Sequence, residues 1–128
     1  MSLHRIRLEL ARTRDFPDGS RAHGYEVVAP LDAAGGFDAA SWKERRDACR
    51  VRRFWAGEDD LLGMLIHRRD RRWAFSYVDG EDDDDEPLFK LEAHKLRPGE
   101  YVSVTEQDGE TRTFRVADVR PLPEAPRL

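Results

Sequence analysis

The chain has 128 residues and a formal net charge of −4, and charged residues make up 38% of it. This length suits a single domain whose core buries about two-thirds of the surface of the unfolded chain. The frequent aliphatic and aromatic residues exclude general disorder, and the acidic balance gives no global reason to expect nucleic acid or an anionic membrane as a partner. No apolar run approaches the roughly 20 residues of a membrane span, so we expect no membrane association.

The N-terminal third predicts two strands. Residues 4–10 alternate charged and apolar side chains, which is typical of a half-buried strand. A second strand is predicted over Ala22–Pro30, with Tyr25 and Val27 on the same face. Pro30 ends this strand or places it at an edge of the sheet.

A short helix is predicted next. Asp38 can cap its first turn, and Phe37 and Trp42 occupy the two positions of a hydrophobic staple. The apolar pattern fades into arginines, so the helix is expected to end near Asp47. The helix is therefore short, with Trp42 on its buried face.

The segment that follows predicts a strand with a charge on its buried side. Alternation over Cys49–Trp55 places Cys49, Val51 and Trp55 on one face together with Arg53. An inward arginine needs a partner, because burying an unpaired charge is very costly. Cys49 is also the only cysteine, and with no disulfide to form it indicates a reducing, bacterial-type cytoplasm.

The middle of the chain predicts a hairpin. Residues 61–67 are apolar on both faces, as in a central or covered strand. A loop centred on Asp70 and Arg71 would gather the large side chains on one face. The pairs expected from this register are Arg68 with Trp73, Ile66 with Phe75, and Met64 with Tyr77. An acidic loop over residues 79–86, with seven acidic residues and no basic one, then precedes a strand over Leu88–Ala93.

The clearest hairpin lies between Pro98 and Pro121. A three-residue loop ending at Gly109, in the left-handed region, would pair Val102 with Phe114 and keep the apolar residues on one face. A two-residue loop would slip the register by one and divide them between both faces. The buried face therefore selects the longer loop.

These elements predict an all-β, mainly antiparallel domain over residues 1–122: a small barrel or strongly curled sheet of about seven or eight strands, with one short helix over an open end. A two-layer α+β sheet is the alternative. A bulge is expected near Ala117 and Asp118, where the apolar phase shifts. Residues 123–128 are expected to form a flexible, proline-rich tail.

The functional prediction is a non-enzymatic binding module. Its concave, aromatic-lined face would hold a small apolar or carboxylate-bearing ligand, or a segment of a partner protein. The inward arginine would pair with the ligand's carboxylate. The residues predicted to line this site are Trp42, Arg53, Trp55, His67, Trp73, Phe75 and Tyr77.

Two other classes of function are alternatives to this one. Ten basic residues against six acidic ones over residues 41–73, mixed with aromatic residues, are compatible with a groove for single-stranded nucleic acid, although alternation sends many of these arginines to different faces. A Cys49–His67 pair would be the core of a nucleophilic enzyme, but it carries no further catalytic signature. No cofactor or metal site is predicted, because the four histidines are far apart and the acidic loop lacks calcium-ligand spacing.

Overall fold

The computed structural model describes residues 3–68, 72–76, 89–92, 95–106 and 109–122. Within these ranges the chain forms eight strands, one α-helix and a 3-10 turn. The strands are β1 Leu3–Leu10, β2 Ser20–Pro30, β3 Arg50–Trp55, β4 Leu61–His67, β5 Trp73–Ser76, β6 Phe89–Glu92, β7 Tyr101–Thr105 and β8 Thr111–Pro121. The helix α1, Ala39–Glu44, and the 3-10 turn, Arg46–Ala48, connect β2 to β3.

The strands close into an antiparallel barrel in sequence order. Each strand pairs with the next, and β8 pairs with β1, so every described strand has two neighbours. This confirms the predicted all-β barrel with one short helix, in preference to the two-layer alternative. The α-helix ends at Glu44, before the expected position near Asp47, because the chain tightens there into the 3-10 turn.

Inward side chains from both halves of the chain fill the core. Tyr25 is fully buried, and its ring centroid lies 5.1 Å from those of Phe75 and Phe114. These contacts join β2 to β5 and to β8 across the interior, since neither strand is a neighbour of β2 in the barrel. An eight-stranded barrel is just wide enough for side chains to fill its interior, as they do here.

The β7–β8 hairpin has the predicted register. Val102 lies opposite Phe114, and both are buried. The main-chain bond from Glu106 N–H to the Glu110 carbonyl leaves a three-residue loop, and Gly109 has φ +83°. The predicted bulge is also present, since the β1–β8 register skips Ala117.

The predicted register of the β4–β5 hairpin is wrong by one residue. His67, not Arg68, lies opposite Trp73, and Leu65 lies opposite Phe75. In the observed register Leu65 and Phe75 both face inward and are buried. Ile66, which the prediction pairs with Phe75, lies opposite Ala74 instead. Tyr77, the last residue of the predicted register, lies outside the described residues.

Two other predicted features, the acidic loop over residues 79–86 and the tail over residues 123–128, also lie outside the described residues. Among the helices of the described ranges, none has the length and apolar character needed to cross a membrane. The described strands therefore define the frame on which the candidate sites are built.

Candidate functional site

Four rings from four different elements meet at the end of the barrel that α1 covers. They are Phe37 before the helix, Trp42 in α1, His67 at the end of β4, and Trp73 at the start of β5. We call this set the aromatic cluster. Trp42 is 9% exposed and the other three residues are half-buried, so part of the surface of the cluster is exposed to solvent.

Local sequence features place Trp42 in the cluster. The Asp38 carboxylate accepts a hydrogen bond from the Ser41 N–H at 3.2 Å and caps α1 as predicted. The Trp42 indole then donates to the Leu65 carbonyl over 2.9 Å, which ties the helix to β4. This bond satisfies the indole N–H of a nearly buried tryptophan.

The rings of the cluster pack at defined angles. His67 and Trp73 are cross-strand partners, and their rings are stacked with centroids 4.2 Å apart. The Trp42 ring meets both edge-on, with centroid distances of 5.8 Å to His67 and 5.6 Å to Trp73. Phe37 lies 4.9 Å from Trp73, and the Arg46 guanidinium lies 5.5 Å from the Trp42 ring centroid. The cluster thus combines apolar ring surface with a nearby positive charge.

A buried carboxylate organises the opposite end of the barrel. The Glu106 side chain is 4% exposed and accepts hydrogen bonds from the Tyr25 hydroxyl, from Arg53 Nε at 2.8 Å and from Arg112 Nη1 at 2.7 Å. We call these four residues the Glu106 network. Arg53 and Tyr25 reach Glu106 across the interior, because β3 and β2 do not neighbour β7.

Charge and burial shift the pKa values of groups around this network. Burial alone lowers the pKa of Arg53, but the hydrogen bonds and charge of Glu106 outweigh it and raise the pKa above its usual value. His23, packed edge-on against Trp55 at 4.5 Å, has a lowered pKa because it is buried and lies near the Arg53 charge. Arg53 is therefore a permanent cation, and His23 favours its neutral form.

The structure separates the predicted site residues into three groups. Trp42, His67 and Trp73 belong to the aromatic cluster. Arg53 and Trp55 lie together at the other end, where the Arg53 guanidinium is 4.2 Å from the Trp55 ring centroid. The remaining described residue of the predicted set, Phe75, is fully buried in the core between the two ends, and the seventh, Tyr77, lies outside the described residues.

The sequence contained a signal for the partner of Arg53 that the prediction did not use. Inward positions on β7 recur every second residue, so Val102 and Val104 place Glu106 on the inner face as well. The predicted need of an inward Arg53 for a carboxylate is met by the chain itself. The sequence predicts Phe37 as a staple residue but gives no sign that it belongs to a site.

The surroundings of Arg52, Arg53 and Cys49 weaken the two alternative functions, binding of single-stranded nucleic acid and catalysis by a Cys–His pair. Arg52 pairs with Glu26 and Asp60, and Arg53 pairs with Glu106, so carboxylates already neutralise two of the arginines assigned to a nucleic-acid groove. Cys49 is fully buried, and burial raises the pKa of its thiol to about 11. A thiol held neutral in this way gives no support to the Cys–His hypothesis.

Among the described residues, no group of three or more histidine, cysteine, aspartate or glutamate side chains is placed to hold a metal ion. Comparisons with known proteins give no further guidance to the site, because no family model, curated protein or solved structure matches this chain.

Proposed function

We propose that this chain is a non-enzymatic binding module that holds a small apolar acid against the aromatic cluster. The observation that carries the proposal is the convergence of Phe37, His67 and Trp73, each half-buried, beside Arg46 and the nearly buried Trp42. Rings from four elements provide flat apolar surface at one end of the barrel. The Arg46 guanidinium beside them provides a positive charge that can pair with a carboxylate.

The other half of the predicted site suits a free ligand less well. Arg53 is 12% exposed and already binds both oxygens of the Glu106 carboxylate, at 2.8 and 3.3 Å. A ligand acid would have to displace this internal carboxylate and leave it buried without its charge partner, which is costly. The helix-covered end therefore favours an external acid more than the Glu106 end does.

The compartment is part of the proposal. A buried, unpaired thiol at Cys49 is compatible with the reducing cytoplasm of a bacterium, where the module would meet small metabolite acids. A segment of a partner protein that ends in an aromatic residue and a carboxylate would present the same chemistry as such a metabolite. Small-molecule acids are the class that we favour, because the cluster is confined to a few side chains.

The three tryptophans make a direct test available. Each indole N–H gives its own signal in a ¹H–¹⁵N correlation spectrum, and single Trp→Phe variants assign the three signals. The probe is 4-phenylbutyrate, and its neutral amide serves as the matched control ligand. We expect the signals of Trp42 and Trp73 to move with the acid while that of Trp55, at the other end of the barrel, stays fixed.

Arg46→Gln tests the charge. We expect it to weaken binding of the acid by about two- to fivefold and to leave binding of the amide unchanged, because an exposed ionic contact contributes less than about 1 kcal/mol. Arg50→Gln, at an exposed arginine outside the cluster, is the control with the same charge change. Shifts confined to Trp55, or no shift of any indole signal at millimolar acid, would remove this proposal.

A further inference from the structure

A polar groove on the outer wall of the barrel shares no lining residue with the aromatic cluster or the Glu106 network. It lies between the loop that joins β1 to β2 and the outer face of β7 and β8, and its volume is about 520 Å³. This volume falls within the range of about 300–1,000 Å³ that is usual for small-molecule sites. We call it the outer groove. The charged and aromatic residues that line it are Glu9, Arg12, Asp18, Arg21, Tyr101 and Arg115.

The charges of the outer groove favour an anion. Its three arginines are exposed, and within the described residues none of them forms an ion pair. Of the two carboxylates, Glu9 is already bound by Arg7 Nε at 2.8 Å. Asp18 alone therefore faces Arg12, Arg21 and Arg115, and the groove has surplus positive charge. Guanidinium groups bind phosphate oxygens in pairs and with defined geometry.

An exposed aromatic ring completes the lining. The side of β7 that faces solvent carries Tyr101, which is 63% exposed and lies directly opposite Arg115 in the β7–β8 ladder. The ring thus stands beside a guanidinium that has no ion-pair partner among the described residues. A flat ligand group can stack on such a ring, as bases stack on aromatic side chains in nucleic-acid complexes.

The rim of the outer groove is held in place by the backbone. Gly19 has φ +75°, and a β-carbon at this position would lie 2.7 Å from the Leu10 carbonyl oxygen. Only glycine allows this close approach between the loop and β1. Within the loop, the Gly19 and Thr13 N–H groups both donate to the Phe16 carbonyl at 2.9 Å. A preformed rim lowers the ordering cost of binding.

We infer that the outer groove binds a small phosphate monoester that carries a flat ring, the chemical class of a mononucleotide. In this arrangement the arginines, chiefly Arg115 beside Tyr101, bind the phosphate, and Tyr101 stacks on the ring. None of these residues belongs to the aromatic cluster, so binding of a phosphate monoester in the outer groove does not depend on the proposed binding of an acid at the cluster.

Calorimetric titration of the full chain with three probes tests the inference. AMP carries both the ring and the phosphate, ribose 5-phosphate carries the phosphate alone, and adenosine carries the ring alone. We expect AMP to bind more tightly than either fragment. Arg115→Gln should weaken AMP and ribose 5-phosphate by about tenfold and leave adenosine unchanged, because it removes a charge-assisted contact.

Two further variants separate stacking and general charge. Tyr101→Ala should reduce AMP binding to the level of ribose 5-phosphate without affecting ribose 5-phosphate itself. Arg50→Gln makes the same charge change on the outer face of β3, away from the groove, and should alter AMP binding less than about twofold. All three substituted side chains are exposed, so the fold is expected to persist, and the denaturation midpoint verifies this.

Specific outcomes would overturn the inference. Equal effects of Arg115→Gln and Arg50→Gln on AMP would show a general charge effect and no site. Absence of heat and of chemical-shift change with millimolar AMP would also end it. A single-stranded oligoadenylate without a terminal phosphate is the last probe, and tighter binding of this oligomer than of AMP, weakened equally by both variants, would replace a small-molecule site with a nucleic-acid surface.

Discussion

Replacing Glu106 with glutamine tests whether the cross-barrel network stabilises the fold. The substitution keeps the size of the side chain and removes the charge that Arg53 and Arg112 share. Arg53 is 12% exposed and would remain largely buried without a carboxylate, whereas Arg112 is 26% exposed and can turn further towards water. The energetic cost therefore comes mainly from Arg53.

Breaking a buried ion pair by removing one partner costs about 3–5 kcal/mol. Because Arg112 retains access to solvent, we expect Glu106→Gln to lower the free energy of unfolding by about 3 kcal/mol. Glu110→Gln is the matched control, since Glu110 binds the same Arg112 at 2.9 Å but is 71% exposed. An exposed pair of this kind contributes less than about 1 kcal/mol.

The measurement is urea denaturation followed by tryptophan fluorescence, with the slope of the transition compared between variants. A second substitution completes a double-mutant cycle: Arg53→Met in the Glu106→Gln background should recover much of the loss, because no unpaired charge is then buried. A loss below about 1 kcal/mol for Glu106→Gln, or equal losses for Glu106→Gln and Glu110→Gln, would refute the reasoning.

Three further predictions concern single sites. Gly24→Ala should lower the free energy of unfolding by more than about 3 kcal/mol, at or beyond the top of the usual overpacking range, because the added β-carbon would lie 1.9 Å from the Leu8 carbonyl oxygen. Gly57→Ala is the control: its β-carbon would meet no atom within 4 Å, so it should cost only about 1 kcal/mol of backbone strain. Thermal unfolding compares the two variants. Because the pKa of His23 is lowered in the folded state, the imidazole of the unfolded chain is protonated first as the pH falls. The contribution of His23 to the free energy of unfolding is therefore fully present above the ordinary pKa of 6.5 and decreases below it. His23→Asn should make stability less dependent on pH in this range, and an unchanged pH dependence would contradict the role of His23. Cys49, buried and with a pKa raised to about 11, should react with a disulfide reagent only as fast as the chain unfolds, and a rate in the native protein equal to that in urea would show an open thiol.

The two hairpins show where the sequence determines the register. On β7 and β8 the apolar residues occupy one face only, so a slip of one residue would expose Val102 and Phe114 and bury polar side chains. On β4 the residues are apolar on both faces, and either register buries large side chains. The pattern therefore did not distinguish Leu65 opposite Phe75 from Ile66 opposite Phe75.

The candidate site could be predicted in its parts and not in its arrangement. Alternation correctly turned Arg53 inward and indicated that it needs a partner. The identity of that partner depends on barrel closure, which brings β3 and β7 face to face although Arg53 and Glu106 are 53 residues apart. Closure also separates Trp42 from Trp55, because Trp42 lies at the helix-covered end of the barrel and Trp55 at the opposite end.

The Glu106 network also constrains where a ligand can bind. The predicted pocket required an inward Arg53 with a free guanidinium and an open interior beside it. The chain instead supplies its own carboxylate to Arg53, and Tyr25 contacts Phe75, Phe114 and Glu106 within the barrel. A ligand that entered there would have to displace buried rings and an ion pair together, and the energetic cost of doing so favours binding at surfaces that are already half-exposed.

The helix-covered aromatic cluster and the outer groove are two such surfaces, and they differ in chemistry. The cluster is apolar with one flanking cation, whereas the groove is polar with three. An acid that moves the Trp42 and Trp73 signals and a phosphate monoester that depends on Arg115 should consequently bind without competing, whereas competition between them would place both ligands at one site and contradict this division.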